Sequence, residues 1–331
     1  MSTWQNIKLV AISVTTFFIT TSAHAQDLRK VRVGIPTLSP IVAATLVPRD
    51  RGYFKQEGLD VETIVIRSAP SVLALAAKEI DFLMTGGGGL SGALRGLPLR
   101  VVFAPLRRPT YTLYAKPEIR TIAELEGKRV GISSYGSGPD LLLRDVLKKR
   151  MSDGGKKVTI LAVGSGTERY IALKTNIVDA AVLSSPVTLT AKQEGYRELF
   201  SFFTDKDYAD IPVATFTRDD MLQSSAALVE RFVRAQVKGL LYMRANRDGA
   251  ASALARALKS KESETGPAFD EIRPTMTDDG TITLDEQRKA LEYLLSPAQQ
   301  KEPPRLERIY DFTLARKAYQ ELQARGWKPT D

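Results

Sequence analysis

The chain carries one pattern of strands and helices twice, and this limits its fold more than any other feature. Val33-Gly34-Ile35 recurs as Val130-Gly131-Ile132, 97 residues later. Val61–Ile66 (VETIVI) matches Val158–Val163 (VTILAV) at the same offset. Ser68 falls on Ser165, Leu73 on Tyr170, and Asp81 on Asp179 after a slip of one residue. Each copy reads strand, loop, helix, strand, Ser-containing loop, helix, then an "I-D" or "V-D" strand. That alternation is the pattern of a parallel α/β layer. Two ordered copies predict two similar α/β lobes.

Helix-start signals sit at matching places. Ser39 precedes Pro40, an N-cap followed by proline at the first helical position. Ser137 precedes Pro139 and Asp140, ahead of the apolar run Leu141–Val146. Ser68 with Pro70, and Thr167 with Glu168, are expected to open the second helix of each copy. In open α/β sheets the loops at the carboxyl ends of strands line the ligand crevice. Helix amino ends there offer unpaired N–H groups and a positive dipole end, suited to carboxylate, sulfonate or phosphate. Ser68 and Ser165, at equivalent strand ends, are therefore candidates for ligand contact.

The stretch "TGGGGLSG" (85–92) follows the apolar run Ile80–Thr85 and contains G-x-G-x-x-G at Gly87, Gly89 and Gly92. A dinucleotide-binding unit needs a long helix after its glycines and an acidic residue about twenty positions on. Here Leu90–Arg95 runs at once into Gly96-Leu97-Pro98, which leaves barely two helical turns, and the acidic residue is missing. No G-K-[ST] follows to make a phosphate loop. The glycines are expected to form a turn that lets backbone approach a small ligand, or lets two lobes close on it.

Residues 1–25 have the form of a secretory signal peptide: Lys8, an apolar stretch Leu9–Ile19, and an A-x-A motif at Ala23–Ala25. Eleven apolar residues are too few to span a bilayer, which takes about twenty. Cleavage would leave about 305 residues, above the usual size of one core. It would also remove His24, the only histidine, from a chain with no cysteine. Such a chain offers no His general base, no Cys nucleophile and no thiolate or imidazole metal site. Its excess of basic residues, +9 over the full chain, is scattered and not interleaved with aromatics. A nucleic-acid groove is therefore not expected.

Several runs resemble the solute-binding proteins of ABC importers, in the nitrate, sulfonate and taurine branch that also includes binders of thiamine-pyrimidine precursors. They are "RGYFKQEGLDVE" (51–62), "ALAAKEIDFLMTGG" (74–87), "ALRGLPLRVV" (93–102), "LEGKRVGISSYGS" (125–137) and "ALKTNIVDAAVLSSP" (172–186). The resemblance covers nearly all of the chain after residue 25, in order. It implies the two-lobed type II periplasmic binding protein fold, with crossover strands near 108–116 and 211–217. Lobe 1 would be residues 26–112 and 213–331, and lobe 2 residues 113–212. The resemblance further implies a monomer in the periplasm that serves an ABC permease, uses no cofactor and catalyses no reaction.

By the same analogy the cleft draws on Thr37, Ser39, Gly86, Gly87, Gly88, Ser134, Tyr135, Gly136, Ser137, Ser184 and Ser185. Short hydroxyls and backbone amides suit an anion held by hydrogen bonds. Arg107 or Arg108, at the end of a lobe 1 strand, is a candidate bidentate clamp. Tyr111 and Tyr135 are the rings nearest to hand if the ligand is a pyrimidine. A periplasmic sensor that feeds a membrane receptor is an alternative role. So is an enzyme, since a yeast pyrimidine synthase shares this fold. That enzyme uses a histidine and a cysteine-rich motif, which residues 26–331 lack. In the carboxyl-terminal part, Leu228 to Leu241, a helix capped by Asp285, and Leu314 to Leu322 are expected to pack on lobe 1.

Overall fold

A computed structural model describes residues 28–66, 69–205, 208 and 211–329; the proposed signal peptide lies outside them. The first repeat copy forms β1 (Arg29–Ile35), α1 (Ala43–Asp50), α2 (Tyr53–Gln56), β2 (Leu59–Val65), α3 (Ala69–Ala76), β3 (Phe82–Thr85), α4 (Gly87–Leu94) and β4 (Leu99–Phe103). The chain then enters a second unit. It comprises β5 (Tyr111–Ala115), β6 (Arg129–Ile132), α5 (Gly138–Arg150), β7 (Thr159–Ala162), α6 (Gly166–Lys174), β8 (Ala180–Ser184), α7 (Val187–Gln193) and β9 (Arg197–Ser201). It returns through β10 (Ala214–Arg218) to the helices α8 (Asp219–Ser224), α9 (Ala226–Ala245), α10 (Arg247–Leu258) and α11 (Glu262–Ile272). The last three helices are α12 (Leu284–Glu292), α13 (Pro297–Lys301) and α14 (Thr313–Ala324).

The two sheets have matching orders, β2-β1-β3-β10-β4 and β7-β6-β8-β5-β9. In each, the first three strands are parallel and the fourth runs against both neighbours. That antiparallel strand is the one delivered by the crossing chain, β10 to the first sheet and β5 to the second. The architecture is the two-lobed α/β fold expected from the repeat.

The repeat extends to atoms. The Asp81 carboxylate accepts a hydrogen bond from the Arg32 amide at 2.8 Å, and Asp179 accepts one from the Arg129 amide at 3.0 Å. Each Arg guanidinium then donates to a carbonyl just ahead of the aspartate, Lys78 O or Asn176 O. Lys78 and Asn176 are both left-handed, with φ of 66° and 62°. They end the preceding helix with an amide from the next residue, Glu79 or Ile177, reaching back to Ala74 O or Ala172 O.

Apolar layers cover both faces of each sheet. On one face of the first sheet Phe232 of α9 lies between Phe54 and Phe82, with ring centroids 4.9 and 3.9 Å away. The α9, α12 and α14 side chains expected to pack on this unit do so.

Three local expectations are corrected. The helix after "TGGGG" starts at Gly87, so Gly87–Gly89 form its first turn and not a loop before it. The α6 cap is Ser165, not Thr167: its hydroxyl accepts from the Glu168 amide, and the Glu168 carboxylate accepts from the Ser165 amide. The α12 cap is Thr283, paired in the same way with Glu286, while Asp285 sits in the first turn.

Candidate functional site

The carboxyl ends of β1, β3, β6 and β8 face one another across a cavity of about 100 Å³ between the units. The parallel strands of each sheet point their last residues, and the helix amino ends that follow, toward this space. Thr37, Thr85, Gly86 and Gly88 line it from the first unit. Tyr111, Ser134, Ser137, Gly138, Ser165, Gly166, Arg169 and Ser184 line it from the second.

Arg169 dominates the electrostatics. It lies in the first turn of α6 and is only 3% exposed. Its Nε donates to Val182 O at 2.6 Å and one terminal nitrogen to Gly164 O at 2.5 Å. A guanidinium carries five N–H donors, so this leaves three. Among the described residues no carboxylate makes a salt bridge with it, although the neighbouring Glu168 favours its charge from farther off. Burial lowers its pKa to about 10, which still leaves it charged at neutral pH. A buried cation without a direct salt bridge is costly, and an anion in the cavity would relieve that cost.

The amino ends of the two neighbouring helices differ. At α5, the Gly136 amide already donates to Asp140 Oδ2 at 2.8 Å, and Arg144 braces the same carboxylate. The Ser137 hydroxyl donates to Ser134 O at 2.6 Å and accepts from Ser133 at 2.7 Å, so it makes no side-chain cap. At α6, the capping box uses the Ser165 and Glu168 amides. The Gly166 and Thr167 amides have no acceptor among the described residues. They stand one turn before Arg169.

The remaining candidates fall in other places. Ser39 and Ser185 line an adjoining cavity, and the Ser185 hydroxyl lies 3.3 Å from Ala268 O of α11. Gly87 and Gly136 flank the cleft without lining it. Tyr135 is 58% exposed, and its hydroxyl donates to Ile160 O. Arg107 lies away from the cavity, because Asp278 takes its guanidinium at 3.1 Å and Thr275 O its amide. Ser68 is outside the described residues.

The glycines at the seam bring the two units close. A Cβ on Gly86 would stand 2.4 Å from Ile211 O. One on Gly87 would stand 3.5 Å from Gly138 Cα, and one on Gly88 3.6 Å from Gly136 O. The seam between α4 and α5 thus brings backbone near backbone, with the Leu141 and Tyr293 side chains also set against Gly87. Farther along, the Thr188 hydroxyl of α7 donates to the Glu271 carboxylate of α11 at 2.9 Å.

Sequence reasoning missed Arg169. The signal was available: Arg169 shares a helix face with Ala172 and Leu173, both buried, and its repeat counterpart is the buried Val72. A charge at an apolar position of a repeat marks an exception that needs a cause.

Among the described residues no helix is long and apolar enough to cross a membrane. None of them form a group of three or more side chains suited to a metal ion. A family model described as NMT1/THI5 like matches residues 39–250. No curated protein matches the sequence. Among solved structures, a protein of Bordetella bronchiseptica RB50 superposes with a TM-score of 0.79 at 17% identity, over 90% of this chain and 99% of that one. The alkanesulfonate-binding protein SsuA from Xanthomonas axonopodis pv. citri, bound to MOPS, gives 0.65 at 18% identity, over 88% and 98%. The periplasmic nitrate-binding protein NrtA from Synechocystis PCC 6803 gives 0.69 at 14% identity, over 90% of each. At these identities the likeness establishes the fold.

Proposed function

The chain belongs to the NMT1/THI5-like family, and from that premise we propose that it is a periplasmic solute-binding protein. It captures a small anion between its two lobes, residues 26–112 with 213–331 and residues 113–212, and hands it to an ABC permease. It is a carrier and not a catalyst. The observation that carries this reading is Arg169, a buried guanidinium at the cavity wall that makes no salt bridge among the described residues. The ligand would bond the free donors of Arg169 and the Gly166 and Thr167 amides, with the Ser184 hydroxyl and Tyr111 close by. Charge-assisted hydrogen bonds of this kind contribute about 1.5–3 kcal/mol each. A pyrimidine ligand is less well served, since Tyr111 is the one aromatic ring among the lining residues. The name SsuA as an alkanesulfonate binder and NrtA as a nitrate binder accord with an anionic ligand.

The test compares charged ligands with neutral isosteres on protein stripped of solute by unfolding and refolding. Acetate is set against acetamide, and methanesulfonate against dimethyl sulfone, with nitrate as the smallest anion. At a hundredfold excess over Kd an anion that binds only the folded protein adds about 2.7 kcal/mol of stability. The expected result is a higher melting temperature with at least one anion and none with its neutral partner. An equal response to both members of each pair would remove the anion reading.

A further inference from the structure

Two hydroxyls of the second unit reach acceptors on one helix of the first. The Ser185 hydroxyl, just ahead of α7, lies 3.3 Å from Ala268 O of α11, and the Thr188 hydroxyl donates to the Glu271 carboxylate at 2.9 Å. Three residues separate the donors and three the acceptors, so the contacts are in register. Residues three apart share a helix face, which puts both acceptors on the same side of α11. Ser185 and Thr188 are only 8% and 7% exposed. Ser185 and Ala268 border the adjoining cavity, while Thr188 and Glu271 line neither cavity.

Glu271 is hard to explain within its own unit. It sits in the last turn of α11, where the helix dipole disfavours a negative charge. Its neighbour Asp270 is answered by Arg247 at 2.5 Å. Glu271 makes no salt bridge among the described residues, and it accepts from Thr188 of the other unit through both carboxylate oxygens, at 2.9 and 3.3 Å. Phe269 and Ile272 fix α11 in the core of the first unit, so Glu271 moves with that unit.

Resting on the solute-carrier reading, we propose that this pair of contacts is a latch, which joins the two units when they close and sets how firmly a solute is held without touching it. Thr188 and Glu271 are its positioning residues. Water takes over both groups once the units part, so the latch is weak enough to be undone in each cycle. The apparent affinity for a solute that needs the closed form scales with the fraction of protein closed, and the latch raises that fraction.

The chain has no cysteine, so spin labels on Gln193→Cys and Ser263→Cys report one distance between the units. Both positions are exposed, at the end of α7 and near the start of α11. In unliganded protein Thr188→Val should lower the ratio of short to long distances about three- to tenfold, as loss of one net hydrogen bond does. Glu271→Ala should do the same, the double variant no more than either, and Thr188→Ser should keep the wild-type ratio. A merely structural role would lower the melting temperature and leave the distances in place. Equal distance distributions in wild type, Thr188→Val and Glu271→Ala overturn the latch, and so do additive effects in the double variant. Titration with acetate, methanesulfonate and nitrate tests its effect on solute. Whichever anion binds wild type should bind Thr188→Val more weakly by the same factor as the distance ratio falls, and an unchanged affinity overturns the latch as a holder of solute. If none of the three binds while the distances respond, the anion reading falls and the latch stands.

Discussion

The two lobes share a frame and differ in where they place charge. Both use the same strand order, the same bracket between an arginine and an aspartate, and the same left-handed helix ending. On the second helix of each copy, however, the position that is Val72 in α3 is Arg169 in α6. Val72 is 5% exposed and packs into the apolar layer beneath α4. Arg169 is as buried, yet it spends its donors on two carbonyls and the wall of the cavity. The frame therefore accounts for the fold of both units, and a single side chain separates a packing position from one on the cavity wall.

Exchanging the two residues is the hardest test of that contrast. Val72→Arg puts a cation into an apolar layer with no cavity to receive it. It should destabilise the protein by about 3–5 kcal/mol, as an uncompensated buried charge does, measured as the shift of the urea unfolding curve. Stability close to wild type would mean that the two sites are not so different. The reverse change, Arg169→Val, should weaken anion binding about hundredfold or more, since loss of one partner of a buried charge pair costs about 2–5 kcal/mol. The unliganded protein should lose less stability than Val72→Arg does. A variant that binds anions like wild type would remove Arg169 from the site.

The third test sharpens the likeness between lobes by measuring where it ends. Asp179 accepts from the Arg129 amide, the Arg129 guanidinium and Lys116, the last at 3.0 Å, whereas Asp81 has the Arg32 amide. Burial alone would raise the Asp179 carboxyl, but these bonds hold it well below the usual carboxylate range. Its contribution to stability is present in full above its unfolded pKa of about 4 and is lost as pH falls below that value. Asp179→Asn should cost about 1.5–3 kcal/mol at neutral pH and flatten the acid limb of the stability profile. Asp81→Asn should cost less. Equal losses would mean that Lys116 and the Arg129 guanidinium add nothing in lobe 2.

The legible parts of the sequence were those set by periodicity and local chemistry. VGI, the "I-D" and "V-D" strands and the apolar spacing of α9 and α14 are written in the chain's own repeat. The capping boxes Ser165–Glu168 and Thr283–Glu286 also follow the S/T-x-x-E signature, although the residues two along had looked like the helix starts. The start of α4 was hidden because glycine is among the poorest helix formers. Tertiary contact demands it there: a Cβ on Gly89 would meet Phe216 at 2.7 Å. Arg169 was hidden for another reason. An arginine in an amphipathic helix reads as a solvated residue until its register beside Ala172 and Leu173, and its pairing with Val72, are taken together.

The glycine seam between α4 and α5 bears on rates. Where surfaces interlock through side chains, parting them means rotating each side chain out of its neighbour's groove before any new contact forms. At Gly87, Gly88, Gly136 and Gly138 the two helix ends meet with few side chains to disengage, chiefly Leu141 and Tyr293 beside Gly87. Opening at this edge has little dispersion energy to surrender on the way to its transition state. If the chain carries a solute as proposed, the lifetime of the loaded state would rest mainly on the bonds to that solute and on outlying ties such as Thr188 with Glu271. A weakly held solute would then escape quickly, and a well-held one would by itself keep the two lobes together.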